Sequence, residues 1–233
     1  YLNLERSVSW IGEVSAVSES EGELARTRAF ASRVGVVRDA FLGALADTAP
    51  IRADAGDVVL CACGRLCYPR YPEAFLTLAH RLAQVREDVR FLWIGDGELR
   101  PLVDSLIDRF GLKDRLKVTG WLPQAQAHEQ LLGADIFVHY SRWEGLPNAV
   151  LEAMALGLPV VASDVPGNRD AVLHGKTGFI VADEASLLAR TLELAADPGL
   201  RHGLGEAGKE RVLKDFSPST TFAVLSGLYS RPD

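Results

Sequence analysis

From residue 57 onward, short apolar runs rich in β-branched and aromatic residues alternate with stretches whose apolar residues recur at helical spacing. Strand followed by helix, several times over, fits a parallel sheet whose crossover helices cover both faces. The predicted strands are DVVLCACG (57–64), VRFLWIG (89–95), RLKVTG (115–120), DIFVHYS (135–141), LPVVASD (158–164) and TGFIV (177–181). Helices are expected from Pro72, where Phe75, Leu76, Leu78, Ala79 and Leu82 make one stripe, and over about 98–109, 124–133 and 147–156. Two more run to about residue 214. The expected fold class is α/β, a doubly wound, Rossmann-like parallel sheet.

The flanks differ in character. Ser18 precedes Glu21 by three positions, a capping box that opens a helix over roughly 19–33. Residues 34–56, with Val34-Gly35-Val36-Val37 and then Pro50, Asp54 and Gly56, read as a connection between domains. The chain opens on Tyr1, and VSWIGEVSAVS soon after looks like the interior of a longer protein; an N-terminal part, with any targeting segment, is expected to lie outside it. After Ser217-Pro218, Phe222, Leu225, Leu228 and Tyr229 outline a last amphipathic helix that the core does not need. The expected division is thus 1–56, the α/β core 57–214, and the tail 215–233.

Against 31 acidic residues stand 25 basic ones, so the net charge of -6 excludes nucleic acid or an anionic lipid surface as a general partner, though not a local anion pocket. No run of 18 apolar residues is present to span a membrane. Cys61, Cys63 and Cys67 are too few, too close and odd in number for a disulfide framework; they favour a reducing, cytoplasmic setting, with the membrane periphery left open. No metal site is expected, because the nearest histidine, His80, lies in a predicted helix and no second cysteine pair exists.

The segment EGLPNAVLEAMALGLPVVAS (144–163) carries most of the chemistry. A strand ends near Ser141, a loop holds Glu144, Gly145 and Leu146, and a helix starts at Pro147 or Asn148. Its free N–H groups then face the sheet's carboxyl edge, where open α/β sheets bind ligands and a helix end suits phosphate. Gly145 removes a Cβ that would block close backbone approach. Glu152, one turn into the helix, can point back over the pocket; beside a phosphate it would be repulsive unless it accepts a hydrogen bond from a sugar hydroxyl, for which ribose is the natural candidate. Arg65 and Arg70, after the first strand, can chelate a diphosphate. Together these residues describe a site for a nucleoside diphosphate with a group attached.

Glu144 and Glu152 within that segment resemble the donor-binding motif of retaining glycosyltransferases of family 4, which have the two-domain GT-B fold. GRLCYPR (64–70) is similar to the family's Gly-Arg-Leu segment, and WIGDGELR (93–100), VTGWLP (118–123) and PVVASDVPGNRDAV (159–172) follow in the family's order. The pre-core SAVSES resembles the strand before the interdomain linker. The resemblance covers about 57–182 and implies a GT-B C-terminal, nucleotide-sugar donor-binding domain, with 1–56 as the end of an N-terminal domain plus linker and 215–233 as a helix returning to it.

By this resemblance, Arg65 and Arg70 bind the donor diphosphate, Arg70 standing where lysine is usual and Tyr71 where glycine is frequent. Glu152 binds the ribose, Glu144 faces the donor sugar, backbone from Gly145 through Leu146 and Pro147 to Asn148 cradles phosphate, and Leu122 borders the base. Glu144, Arg65 and Arg70 are the implied catalytic residues, no metal or cofactor is needed, and the glycosyl group passes to an acceptor with retention. The acceptor site and some catalytic groups are implied to lie in the N-terminal domain, in cis or as a partner subunit in trans.

Plainer roles weigh against several of these residues. The arginines could be surface salt-bridge partners, Glu144 a cap on the next helix, and Gly95-Asp96-Gly97 a tight turn. His139 reads as a core or rim histidine rather than a base, and Trp93 and Trp143 as packing residues. The donor-binding subunit of a split enzyme, a non-catalytic nucleotide-sugar binding module, and the epimerases and phosphorylases that use a related sheet remain open alternatives.

Overall fold

A computed structural model describes residues 13–16, 19–27, 33–36 and 56–229. The core is a six-stranded sheet of β3 (Val58–Cys63), β4 (Val89–Ile94), β5 (Leu116–Val118), β6 (Ile136–His139), β7 (Val160–Ser163) and β8 (Gly178–Val181), in the order β5-β4-β3-β6-β7-β8. All neighbours pair in parallel. The chain winds outward one way from β3 and then returns to add β6 on the other side, so β3 and β6 flank the switch point where loops diverge and leave a crevice.

Helices α2 (Pro72–Val85), α3 (Arg100–Arg109), α4 (Gln124–Leu132), α5 (Asn148–Ala155), α6 (Pro166–Ala171), α7 (Glu184–Ala196), α8 (Pro198–Asp215) and α9 (Pro218–Tyr229) follow in chain order. Alternation along each strand divides the core. Leu60, Ala62, Phe91 and Trp93 pack with the apolar stripes of α2, α3 and α7. Cys61, Leu92, Ile94 and Phe137 pack with α4, α5, Val212 and Phe216. Cys61 and Cys63 thus share a face, as expected, and all three cysteines are free. Pro72 takes the first helical position of α2, where its missing N–H costs nothing. Among the described residues no helix is long and apolar enough to cross a membrane.

Two expectations need correction. The helix over 19–33 is shorter, Glu19–Thr27 (α1), and Arg33–Val36 is a strand (β2) rather than connection. It pairs in parallel with β1 (Glu13–Ala16), where the extended preference of Val34 and Val36 is met by a ladder. Helix α6 was not expected; its six residues are too few to show a period. The Ser18 cap, Val37, and the turn residues Pro50 and Asp54 lie outside the described residues. The last helix runs over Pro218–Tyr229, with Phe222 exposed.

Candidate active site

At the carboxyl edge, the loop after β3 and the loop after β6 meet across the switch point. The β3 loop turns through a short 3-10 segment, Tyr68–Arg70, and Tyr71 then adopts a left-handed backbone at φ 44 before α2 begins. A non-glycine residue there costs roughly 1 kcal/mol, which accounts for a position at which glycine would be the easier choice. Its side chain makes use of the position: the ring lies under the guanidinium of Arg142, 3.8 Å from centroid to Cζ, and the hydroxyl donates to Glu184 at 3.3 Å.

Arg70 reaches from this loop to the end of β6. Its guanidinium donates to the Glu144 carboxylate and lies 2.9 Å from His139 Nε2, which is in turn 3.0 Å from the same Glu144 oxygen. The Ser141 hydroxyl is 3.2 Å from that ring nitrogen. With Nε2 protonated, His139 and Arg70 both donate to Glu144, and the carboxylate is doubly served. The side chains of His139 and Glu144 are 4% and 10% exposed, against 28% for Arg70, so the pair is enclosed from the protein side and opens through the arginine.

Charge states follow from this enclosure. Burial holds the His139 pKa below its ordinary value although hydrogen bonding and the charge of Glu144 pull it up, so the imidazole is neutral. Burial raises the Glu144 carboxyl, yet His139, Arg70 and Ser141 together outweigh it and lower its pKa, so Glu144 is an anion. Glu152, half-buried on α5, is pushed up by burial, with only the His128 charge opposing; His128 Nε2 and Glu152 Oε2 are 3.9 Å apart. Burial also lifts the Cys63 thiol to about 11, the nearby Glu152 charge adding to it, which leaves an inert thiol rather than a nucleophile beside Arg70.

The support beneath the site is polar and buried. Ser141 N–H donates to Ser163 Oγ at 2.9 Å, Ser163 Oγ returns a bond to the Ser141 carbonyl at 2.7 Å, and Asn168 Nδ2 donates to the Ser163 carbonyl at 2.9 Å. This ties the ends of β6 and β7 to α6. Gly167 of α6 also abuts the backbone of Glu144 and Gly145; any Cβ there would collide with the Gly145 carbonyl oxygen. On the other side Gly95 and Gly97 press in the same way against Gly64 and Leu66. The turn expected at Gly95-Asp96-Gly97 falls just after it, at Glu98-Leu99, closed by the Arg100 N–H on the Gly97 carbonyl at 3.0 Å, while Gly95 bridges Gly120; the two glycines are required by close backbone approach.

The structure joins Arg70 and Glu144 and sets them before α5, whose first turn has Pro147 at its N-cap and no side-chain cap. Glu144 is therefore not a helix cap. Gly145 and Asn148 lie at this mouth, Leu146 and Pro147 are buried behind it, and Leu122 packs against the second core cluster. Arg65 is not drawn into the cluster: 65% exposed, it pairs with Glu98 at 3.0 Å, the surface partner role weighed for it. Trp93 is core, its indole N–H donating to the Gly64 carbonyl, and Trp143 is a rim residue, 55% exposed. His139 is buried as expected, and Glu144, five residues on, is its carboxylate partner. Among the described residues no three His, Cys, Asp or Glu side chains converge as a metal would need.

The chain has relatives among known proteins. The chain is 30% identical over 171 residues to alpha-D-kanosaminyltransferase of Streptomyces kanamyceticus, covering 71% of this chain and 44% of that protein. It is 36% identical over 146 residues to the lipopolysaccharide core biosynthesis glycosyltransferase LpsE of Rhizobium meliloti, covering 61% and 42%. The chain spans less than half the length of these relatives. Among solved structures, a TarM mutant of S. aureus in complex with Fondaparinux, alpha-GlcNAc-glycerol and UDP superposes with a TM-score of 0.86 at 15% identity, covering 99% of this chain and 46% of that one. Anabaena Alr3699/HepE in complex with UDP-glucose gives 0.81 at 19%, covering 99% and 68%. These structures share the α/β fold of glycosyltransferases of the GT-B type. Residues 57–197, most of the chain, match the family described as glycosyl transferases group 1, and the chain belongs to that family.

Proposed function

We propose that this chain is the donor-binding half of a retaining, metal-independent glycosyltransferase of family 4, which transfers a sugar from a nucleoside diphosphate to an acceptor. The observation that carries the reading is the convergence of Arg70, Glu144 and His139 at the switch point, in front of the uncapped first turn of α5. Arg70 and the α5 amides neutralise charge that builds on the leaving diphosphate, with Arg65 joining when it exchanges Glu98 for phosphate. Glu152 accepts from the ribose, Leu122 borders the base, and Glu144 faces the donor sugar. A UDP-sugar is the first donor to test, because UDP stands in the titles of both fold neighbours named above.

The relatives are more than twice as long as their share of the match, so we place the acceptor site and the remaining catalytic groups in an N-terminal domain, in cis or as a partner in trans. Residues 1–56 then belong to the end of that domain and its linker, and 215–233 to the returning helix. Free Cys61, Cys63 and Cys67 fit a cytoplasmic enzyme, with association at the membrane periphery as a further possibility to test by fractionation. Calorimetric titration with UDP-, GDP- and ADP-sugars tests the site. One donor class is expected to bind, and Arg65→Ala and Glu152→Ala to weaken it by roughly tenfold each, the scale of one lost charged hydrogen bond; unchanged affinity in both variants would sink the assignment.

A further inference from the structure

We propose that Arg142 is a positioning residue: it clamps the loop that carries Arg70 to the loop that carries Glu144, and so holds the Arg70 guanidinium where a nucleoside diphosphate meets it. This rests on the donor-site reading above. Arg142 lies two positions before Glu144, on the β6 side of the crevice. Its backbone N–H crosses to the β3 side and donates to the Pro69 carbonyl at 2.8 Å. Its guanidinium carbon lies 3.8 Å from the Tyr71 ring centroid and 4.4 Å from that of Tyr68. The residues on both sides of Arg70, Pro69 and Tyr71, are therefore held by one residue of the opposite loop.

The left-handed backbone of Tyr71 would suit glycine, but glycine would offer the guanidinium no face to stack on. The tyrosine hydroxyl extends the hold to Glu184, the first residue of α7, so the clamp is anchored outside both loops. Arg70 itself has a flexible stem and is 28% exposed; with Tyr71 and Pro69 fixed, its Cα is fixed, and Glu144 orients what remains. A planar, delocalised cation is needed for stacking on two rings, so lysine at 142 keeps the charge and loses the clamp.

The rival is that exposed Arg142 touches phosphate itself, and a double-mutant cycle separates the two. UDP, GDP and ADP are titrated calorimetrically into the chain, Arg142→Ala, Arg142→Lys, Arg70→Ala, Arg65→Ala, and the doubles of Arg142→Ala with each of the last two. Arg142→Ala and Arg142→Lys are each expected to weaken nucleotide binding roughly threefold to tenfold. That loss should vanish in the Arg70→Ala background and persist in the Arg65→Ala background. A loss that persists without Arg70 overturns the clamp in favour of direct contact. If Arg70→Ala weakens binding while both Arg142 variants do not, the clamp falls and the donor site stands. If Arg70→Ala changes nothing, the donor-site reading falls and the clamp with it. Without any nucleotide, the amides of Arg70 and Tyr71, which donate to Cys67 and Tyr68 carbonyls at 3.1 and 3.3 Å, should exchange faster in Arg142→Ala; equal rates overturn the proposal.

Discussion

Glu144→Gln should bind a sugar-free nucleoside diphosphate more tightly than the native chain. Arg70 is already engaged by the Glu144 carboxylate, so an incoming diphosphate has to compete for the guanidinium and accept a second anion beside it. A charge-assisted hydrogen bond contributes about 1.5–3 kcal/mol. Repulsion between unit charges about 5 Å apart at an effective dielectric of about 20 comes to roughly 3 kcal/mol before salt screening. Opposing both, glutamine holds Arg70 less firmly, and some of its ordering by Glu144 is lost. A net gain of about 0.7–1.4 kcal/mol remains, or threefold to tenfold in Kd. The assay is calorimetry with UDP, GDP and ADP, chosen without a sugar so that contacts of Glu144 to the donor sugar do not enter. Arg70→Ala under the same conditions should weaken binding. If Glu144→Gln weakens it to the same extent, the carboxylate is an indispensable holder of the arginine and the competition argument is wrong.

Other expectations can be checked on the free chain. Gly167→Ala forces a Cβ onto the Gly145 carbonyl and should destabilise by about 1–3 kcal/mol in urea melts, whereas Gly203→Ala, on an open stretch of α8, should stabilise by roughly 0.5–1 kcal/mol; equal effects would contradict the packing described. His139 is held neutral with a lowered pKa, so the unfolded chain takes up its proton first as pH falls. Its contribution is complete above about pH 6.5 and is lost as pH drops toward the folded pKa. Stability measured across that window should fall less steeply in His139→Asn; parallel curves would remove His139 as the cause.

All six core strands were legible because burial on both faces of a parallel sheet leaves continuous apolar runs, as in Val58–Cys63 and Val89–Ile94. Helix α2 was legible from its stripe and Pro72. Strand β2 was not: four residues with Gly35 among them carry little pattern, and the partner that makes them a strand lies twenty positions earlier. Helix α6 is held by the Asn168 side chain on Ser163 rather than by an apolar period. At the site, residue types and order announced Arg70 and Glu144, yet the meeting of Arg70 with Glu144 and His139 spans about seventy positions and depends on β3 lying beside β6. Local spacing contains no trace of that adjacency. Nor could it show that Glu98 would occupy Arg65, since that pair joins two loops whose approach is set by Gly95 and Gly97.

The glycine contacts along the carboxyl edge have a bearing on how such a protein changes its preferences. Gly95 and Gly97 lean on the main chain of Gly64 and Leu66, and Gly167 on that of Glu144 and Gly145. At these three points neighbouring loops are spaced by main-chain atoms common to every amino acid, with the Arg142 side chain adding its hold on Tyr68 and Tyr71. Crevice-facing residues outside the stack of Arg142 on Tyr71 and the bonds between Ser163 and Asn168 can then be exchanged without altering these contacts, while the glycines are barred from variation. A new sugar or base can be accommodated by rewriting the lining while the frame that presents it stays as it is.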